Sequence, residues 1–361
     1  MANENFTDNK CPSCGATLAY DPSTGGLVCS FCGSNVKINT IPAAPGLGYW
    51  LQDLQNGTGS HLLKTTNKQI VCGTCGGQFS ADQSAISGLC PFCGSNSITV
   101  SNCESGILEP TGVIPFKIGK DEAQEIFKNW LSARRLAPMD LTKNTEITNL
   151  VGVYIPYWVF DCDTYTPYKG KFGKYYGSGD DRYIKWHKAD SVCKMPVKDL
   201  TLLASSRLEK DSFWKGVSKF DINFTKRYDP NLLAGFWSES YTIDAPTAWQ
   251  TAMGTIYERI KNQILKQEDA NTSDRLDMKP EATNIRAKYI LAPIWITSFN
   301  YHDQIYQVLI NGQTGYIDGI WPKSYKKFFM TFGLIAGGIV ATRILYMLFV
   351  QLIQFLQNLG H

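Results

Sequence analysis

Residues 11–38 read CPSCGATLAYDPSTGGLVCSFCGSNVKI, and residues 72–99, beginning 61 positions later, read CGTCGGQFSADQSAISGLCPFCGSNSIT. In each copy a cysteine pair with two residues between its members is followed, at the same interval, by a second such pair: Cys11, Cys14, Cys29 and Cys32, then Cys72, Cys75, Cys90 and Cys93. A two-residue gap lets both sulfurs of one tight turn face a single ion, and the stretches between the pairs, 15–28 and 76–89, suit a short hairpin that returns the second turn to the first. Glycine follows the second cysteine of every pair, at Gly15, Gly33, Gly76 and Gly94, where a permissive backbone lets N–H groups face the sulfurs. Four thiolates in a tetrahedron are what zinc accepts in closed structural sites, which keep no open position to activate water. The repeat therefore predicts two tandem zinc ribbons with one structural zinc ion each. Pairs drawn from different copies could instead share an ion, and iron accepts the same geometry; the spacing leaves both open.

With 361 residues, of which 43% are hydrophobic, the chain can bury a proper core and is not disordered. Its start, MANENFTDNKC, has no basic segment followed by an apolar run, so no signal peptide is expected. The cysteines are then expected to stay reduced in the cytosol, where grouped pairs hold metal more often than they form disulfides. The net charge of +3 implies no polyanionic partner by itself. Residues 1–105 carry four basic side chains (Lys10, Lys37, Lys64, Lys68) against six acidic ones (Glu4, Asp8, Asp21, Asp53, Asp82, Glu104). Phosphate binding needs the reverse, so the ribbons are expected to contact protein or support the fold.

Between the ribbons, residues 41–66 have the Pro and Gly content of a linker, with Tyr49, Trp50, Leu51 and Leu54 able to dock as a short helical turn. From 105 to 322 the pattern changes to an α+β domain with a duplication. GVIPF precedes a helical stretch over 121–135 and then VGVYIPYWVFD; SESYTI precedes a helical stretch over 245–266 and then AKYILAPIWITSF. Pro156-Tyr157-Trp158 and Pro293-Ile294-Trp295 sit at matching places in the two halves. Each helix has one apolar face: Ala123, Ile126, Phe127, Trp130 and Leu131 in the first, Trp249, Met253, Ile256, Tyr257, Ile260 and Ile264 in the second. Asn311-Gly312 between IYQVLI and YIDGIW predicts a tight hairpin turn. These features predict antiparallel sheets with a helix packed on each half, and a mobile polar loop over 267–282.

The terminal region, 323–361, begins with Lys323, Lys326 and Lys327 and continues as FFMTFGLIAGGIVATRILYMLFV, residues 328–350, with Arg343 its one charge. A helix of this length reaches about 34 Å, enough to cross a hydrocarbon core of about 30 Å. Lysines before the span and no Lys or Arg after it place the N-terminal bulk in the cytoplasm. Gly333, Gly337 and Ala341 share one helix face suited to close contact with another copy or a partner, and the glutamine-punctuated tail beyond Val350 is amphipathic.

No catalytic set stands out. GxxxxGK[ST], GxSxG and HExxH are absent, and the four histidines, His61, His187, His302 and His361, form no pair; the chain is expected not to be an enzyme. Cys103, Cys162 and Cys193 read as small buried hydrophobes. Asp161, Asp163, Asp180 and Asp181 read as solvated loop carboxylates, and the PYW and PIW aromatics as core.

The order of CPSCG and CPFCG knuckles, then YIPYWVFD, then LAPIWITSF with YQVLINGQTGYIDG and a terminal apolar span, resembles a family of bacterial TFIIB-type zinc-ribbon membrane proteins. The resemblance covers most of the chain. Members are often labelled primosomal or helicase-like, which the missing nucleotide-binding loop does not support here. The resemblance implies the eight cysteines as zinc ligands, a terminal membrane anchor, and recruitment of partners, since similar proteins are encoded with phage-shock-type and SPFH or virion-core-like proteins. The expected protein is thus a membrane-anchored cytosolic adaptor with a place in membrane-stress response, and a membrane-tethered nucleic-acid-binding protein is the alternative.

Overall fold

A computed structural model describes residues 10–44, 46–57, 68–81, 90, 92, 95–102, 108–134, 136–138, 141, 150–208, 214–301, 304–324 and 337–351. In chain order the first cysteine repeat supplies β1 (Leu18–Asp21), β2 (Gly26–Cys29) and β3 (Asn35–Lys37), which form their own three-stranded antiparallel sheet. β4 (Tyr49–Trp50) and α1 (Leu51–Gln55) follow, then β5 (Lys68–Cys72), β6 (Gln78–Ala81) and β7 (Ile98–Asn102) of the second repeat. The body comprises β8 (Gly112–Val113), α2 (Lys120–Ser132), β9 (Val151–Tyr176), β10 (Tyr183–Leu203), α3 (Trp214–Val217), β11 (Lys226–Arg227), β12 (Trp237–Glu239), α4 (Ala245–Gln267), β13 (Thr272–Met278), β14 (Glu281–Tyr301), β15 (Gln304–Asn311) and β16 (Ile317–Gly319). The fold is thus mixed α+β and mostly sheet.

At its centre β9 and β14 run antiparallel, with Pro156 opposite Leu291 and Pro293 opposite Tyr154. Because the two prolines hold equivalent places in the duplicated halves, these pairs are the same pair seen from either strand. The neighbours obey the same relation. β8 lies parallel to β14 with Gly112 opposite Ile290, and β12 lies parallel to β9 with Trp237 opposite Val153. The return strands match too, Leu202 of β10 facing Trp158 and Ile310 of β15 facing Trp295. Each half therefore runs strand, helix, long strand, return strand, and each lends its first strand to the other half's long strand.

Hydrogen bonds repeat this crossing. The Trp158 indole N–H donates to the Ile243 carbonyl at 2.8 Å, just before α4, and the Trp295 indole N–H donates to the Ile118 carbonyl at 2.9 Å, just before α2. The Ala204 carbonyl accepts from the Thr242 and Ile243 amides, the Gly312 carbonyl from those of Lys117 and Ile118. The amides of Ala204 and Gly312 donate to the carbonyls of Pro156 and Pro293 in turn. PYW and PIW are therefore core: Trp158, Trp295, Tyr157 and Ile294 are all buried.

The helices pack by their predicted faces. Ala123, Phe127, Trp130 and Leu131 are buried in α2, and Trp249, Ile256, Ile260 and Ile264 in α4. Ile126 and Met253 are partly buried against the same core. The start of α4 is held by Asp244, whose carboxylate accepts from the Thr247 amide at 2.8 Å, with Pro246 in the first turn.

Four expectations need correction. The sheet is mixed, since β8 and β12 pair in parallel. The polar stretch over 267–282 is no loop: α4 runs through Gln267, and β13 pairs with the outer part of β9. Tyr257 is exposed on α4. The turn between β15 and β16 is longer than Asn311-Gly312, because Ile310 pairs with Ile317 and the left-handed residue is Gly315. Asn311 organises it, its side-chain oxygen accepting from the Gln313 and Thr314 amides at 2.9 Å each. Gly312 is needed for space, as a Cβ there would stand 2.5 Å from the Phe116 ring.

Within the stretch read as a linker, β4 pairs with β14 and α1 buries Leu51. No helix among the described residues is long and apolar enough to cross a membrane. The span expected over 328–350 lies partly outside them, and so does Gly333; residues 337–351 are helical, with Gly337 and Ala341 exposed.

Trp158→Phe and Trp295→Phe each remove a buried indole donor from a half-buried carbonyl and are expected to cost about 1–3 kcal/mol. Urea unfolding should show similar losses for the two, whereas Trp186→Phe, on the exposed part of β10, should change stability by less than about 0.5 kcal/mol.

Candidate metal centres

In the first repeat Cys11, Cys14, Cys29 and Cys32 converge, with all four sulfurs within 4.8 Å of one another. The Cys11 and Cys32 sulfurs are 3.5 Å apart and those of Cys14 and Cys29 3.6 Å. A tetrahedron with Zn–S bonds of about 2.3 Å has edges of about 3.8 Å, so the set fits such an ion with little adjustment. The four candidate ligands of this set come from one repeat, as sequential and not cross-braced pairing requires.

The turns carry the sulfurs as the glycine pattern implies. The Cys11 amide donates to the Ala16 carbonyl and the Gly15 amide to the Cys11 carbonyl; the Cys29 amide donates to Ser34 and the Gly33 amide to Cys29. Gly15 and Gly33 have φ of 76° and 75° with open space around them, so the left-handed backbone alone demands glycine. Desolvation pushes the Cys11 thiol up, but the Ser13 and Cys14 amides outweigh it and lower the group to about 6. Cys32 is also lowered, first by the Ser34 side chain. For Cys14 the Ala16 amide favours the thiolate, yet desolvation and the neighbouring sulfurs raise it to about 12. Four thiols this close resist ionising together, and a dication between them removes the obstacle.

The second repeat reproduces the first at the same offset. Cys72, Cys75 and Cys90 converge, while Cys93 and Gly94 lie outside the described residues. The Cys75 and Cys90 sulfurs are 3.6 Å apart, the Cys72 amide donates to Gly77, the Gly76 amide to Cys72 and the Cys90 amide to Ser95. A hydroxyl pair spans the knuckles in both copies, Ser13 with Ser34 at 3.0 Å and Thr74 with Ser95 at 2.8 Å. These hydroxyls carry no motif of their own; only alignment of the two copies marks them.

The repeats differ in how they meet the body. The first keeps its own sheet and meets the body through the Tyr20 amide, which donates to Ala234 at 3.0 Å, and through apolar side chains such as Tyr20 against Phe236. The second is built into the large sheet, β6 pairing with β12 through Ser238 opposite Ser80. Beneath it the Arg207 guanidinium lies 3.3 Å over the Phe92 ring. Its Nε stands 3.9 Å from Glu239, which accepts from the Ser205 hydroxyl at 2.8 Å. Burial pushes the Glu239 carboxyl up to about 7 against the opposing pull of Arg207 and Ser205. Neither Arg207 nor Glu239 belongs to a recognisable motif, and tertiary structure alone brings them together.

The other candidates are accounted for structurally. Cys162 and Cys193 are buried thiols, and desolvation raises both; Cys103 lies outside the described residues. His187 pairs with Glu268 at 3.1 Å. Asp161 and Asp163 line a cleft of about 470 Å³ with Asp199 and Lys288. There they are engaged: Lys288 lies 2.6 Å from Asp161 and 3.2 Å from Asp199, and Asn284 donates to Asp163 at 2.9 Å. Asp180 and Asp181 sit apart from them, at the exposed tip between β9 and β10.

Metal analysis of protein purified under reduction should find two zinc ions per chain, and Cys11→Ser together with Cys29→Ser should leave one. Because protons compete for the thiolates, metal should be retained at neutral pH and released as pH falls. A chromogenic chelator titrated from pH 7.5 to 4.5 would record that release.

No family model matches the chain, and no solved structure matches it. It is similar to YdjG of Bacillus subtilis (strain 168), described as an uncharacterized protein, with 27% identity over 334 residues that cover 91% of this chain and 94% of the relative.

Proposed function

We propose that this chain is a non-enzymatic adaptor, anchored in the cell membrane by its C-terminal segment with its bulk in the cytosol, whose two zinc ribbons and sheet body dock protein partners. The observation that carries the anchor is the helix over 337–351. Ile339, Val340, Ile344, Leu345, Tyr346, Met347, Leu348 and Phe349 are all between 52% and 70% exposed there. Consecutive positions 344–349 cover the whole circumference, so no one-sided protein core could bury them, and hydrocarbon is the matching solvent. Arg343 costs about 2.5–3.5 kcal/mol at mid-bilayer, which a dozen apolar residues at about 0.3–0.6 kcal/mol each offset. The four-thiolate sites support the adaptor role, since a closed coordination shell holds a surface in shape and leaves no position for a substrate. By resemblance, the partners are SPFH or virion-core-like or phage-shock-type proteins, in membrane-stress response, and Gly333, Gly337 and Ala341 offer a face for self-association in the bilayer.

Nucleic-acid binding is favoured by one feature, the arm formed by the outer parts of β9 and β10. It carries Lys169, Lys171, Lys174, Arg182, Lys185 and Lys188 beside the exposed Tyr175, Tyr176, Tyr183 and Trp186. Two of these cations are already engaged, Lys169 with Asp190 at 3.3 Å and Lys174 with Asp269, which weakens the case.

Full-length protein is expected to fractionate with membranes and resist alkaline extraction, and a chain ending at residue 324 to be released; extraction of the full-length chain would refute anchoring. Anisotropy with labelled DNA and RNA at 50 mM salt should show no binding. An affinity falling steeply between about 50 and 200 mM salt would move the assignment to a membrane-tethered nucleic-acid-binding protein.

A further inference from the structure

The two cysteine repeats place phenylalanine at the same point of the second knuckle, Phe31 before Cys32 and Phe92 before Cys93. Their fates are opposite. Phe92 is 2% exposed, set against Phe79 at 4.8 Å between ring centroids with the rings tilted by 30°, and capped by the Arg207 guanidinium at 3.3 Å, while Gln307 donates to its backbone carbonyl at 3.0 Å. Phe31 is 82% exposed, and among the described residues no ring or cation covers it. Around it Cys14 and Cys32 are also exposed, although the corresponding Cys75 is half-buried. The same knuckle is thus seated once within this chain and left bare once.

Charge says what fits the bare copy. Four thiolates around one dication leave a formal charge of about −2, and residues 10–44 supply only Lys10 and Lys37 as cations. At the second knuckle the body provides a guanidinium, which covers the aromatic face while its Nε stands 3.9 Å from Glu239. A flat guanidinium also spreads over a ring as an ammonium does not.

We propose that the Phe31 knuckle of the first ribbon is the adaptor's docking surface, and that its occupant is a protein segment presenting an arginine over the Phe31 ring, as Arg207 is presented to Phe92. The inference rests on the adaptor reading and names the surface that reading uses.

The test uses full-length, zinc-loaded protein in mild detergent. The probe is a short fluorescent peptide of arginine, isoleucine and serine, with matched versions carrying citrulline or lysine in place of arginine. The arginine peptide should bind, Phe31→Ala should weaken it about tenfold with the zinc content unchanged, and Phe31→Trp should restore it. Citrulline, equal in shape and uncharged, should abolish binding, and lysine should weaken it. Absence of binding by the wild-type chain, equal binding by Phe31→Ala, or equal binding of the citrulline peptide would each overturn the proposal. A chain that resists alkaline extraction yet shows any of these outcomes refutes the docking surface alone; a chain that is extracted but binds the peptide through Phe31 refutes the anchor alone.

Discussion

The antiparallel register of β9 against β14 is the constraint on which the body depends. With Pro156 set opposite Leu291 and Pro293 opposite Tyr154, the two tryptophans that follow the prolines can reach only the chain ahead of the other half's helix. Each helix is therefore positioned by the half to which it does not belong. A slip of one residue would turn every inward side chain of a strand outward and break both indole bonds at once. The crossed donors make the register costly to change, and the first strand of each half, lying on the other's long strand, closes the arrangement.

Around this centre the cysteine repeats solve a problem of size. A segment as short as 11–38 or 72–99 buries little apolar surface of its own, and an ion held by its cysteines would supply stabilisation. The second repeat adds to this the pairing of β6 with β12 and the seat of Phe92 under Arg207. The first forms its own small sheet and meets the body through side chains such as Tyr20 against Phe236. The half-buried Arg207 and the buried Glu239, placed where the second repeat meets the sheet, tie that repeat's position to the body's own core.

The features legible in the sequence were those coded by short-range spacing. The cysteine intervals and following glycines specify a turn of a few residues, and the apolar spacing of α2 and α4 specifies a face, because both follow from local backbone geometry. Features that depend on a distant partner were not legible. TSDRLDM is polar and without helical period, yet it forms β13 because the outer part of β9 offers an unpaired edge. Tyr257 has the spacing of a buried residue but is exposed on α4 among the described residues. The Asn311-Gly312 dipeptide matches a two-residue turn, but packing of Phe116 against Gly312 claims that glycine for space.

The two phenylalanine knuckles divide what each level determines. The sequence by itself determined the turns, the sulfur geometry and the matching halves of the body, since these depend on residues a few positions apart or on a repeat that can be aligned by eye. Only the tertiary structure decided that Phe92 is covered and Phe31 is bare. The reason is physical: SFCGS and PFCGS put the same residue at the same place in the sequence repeat, but burial depends on what stands opposite it, and Arg207 and Gln307 come within reach of Phe92 only after the whole sheet has closed.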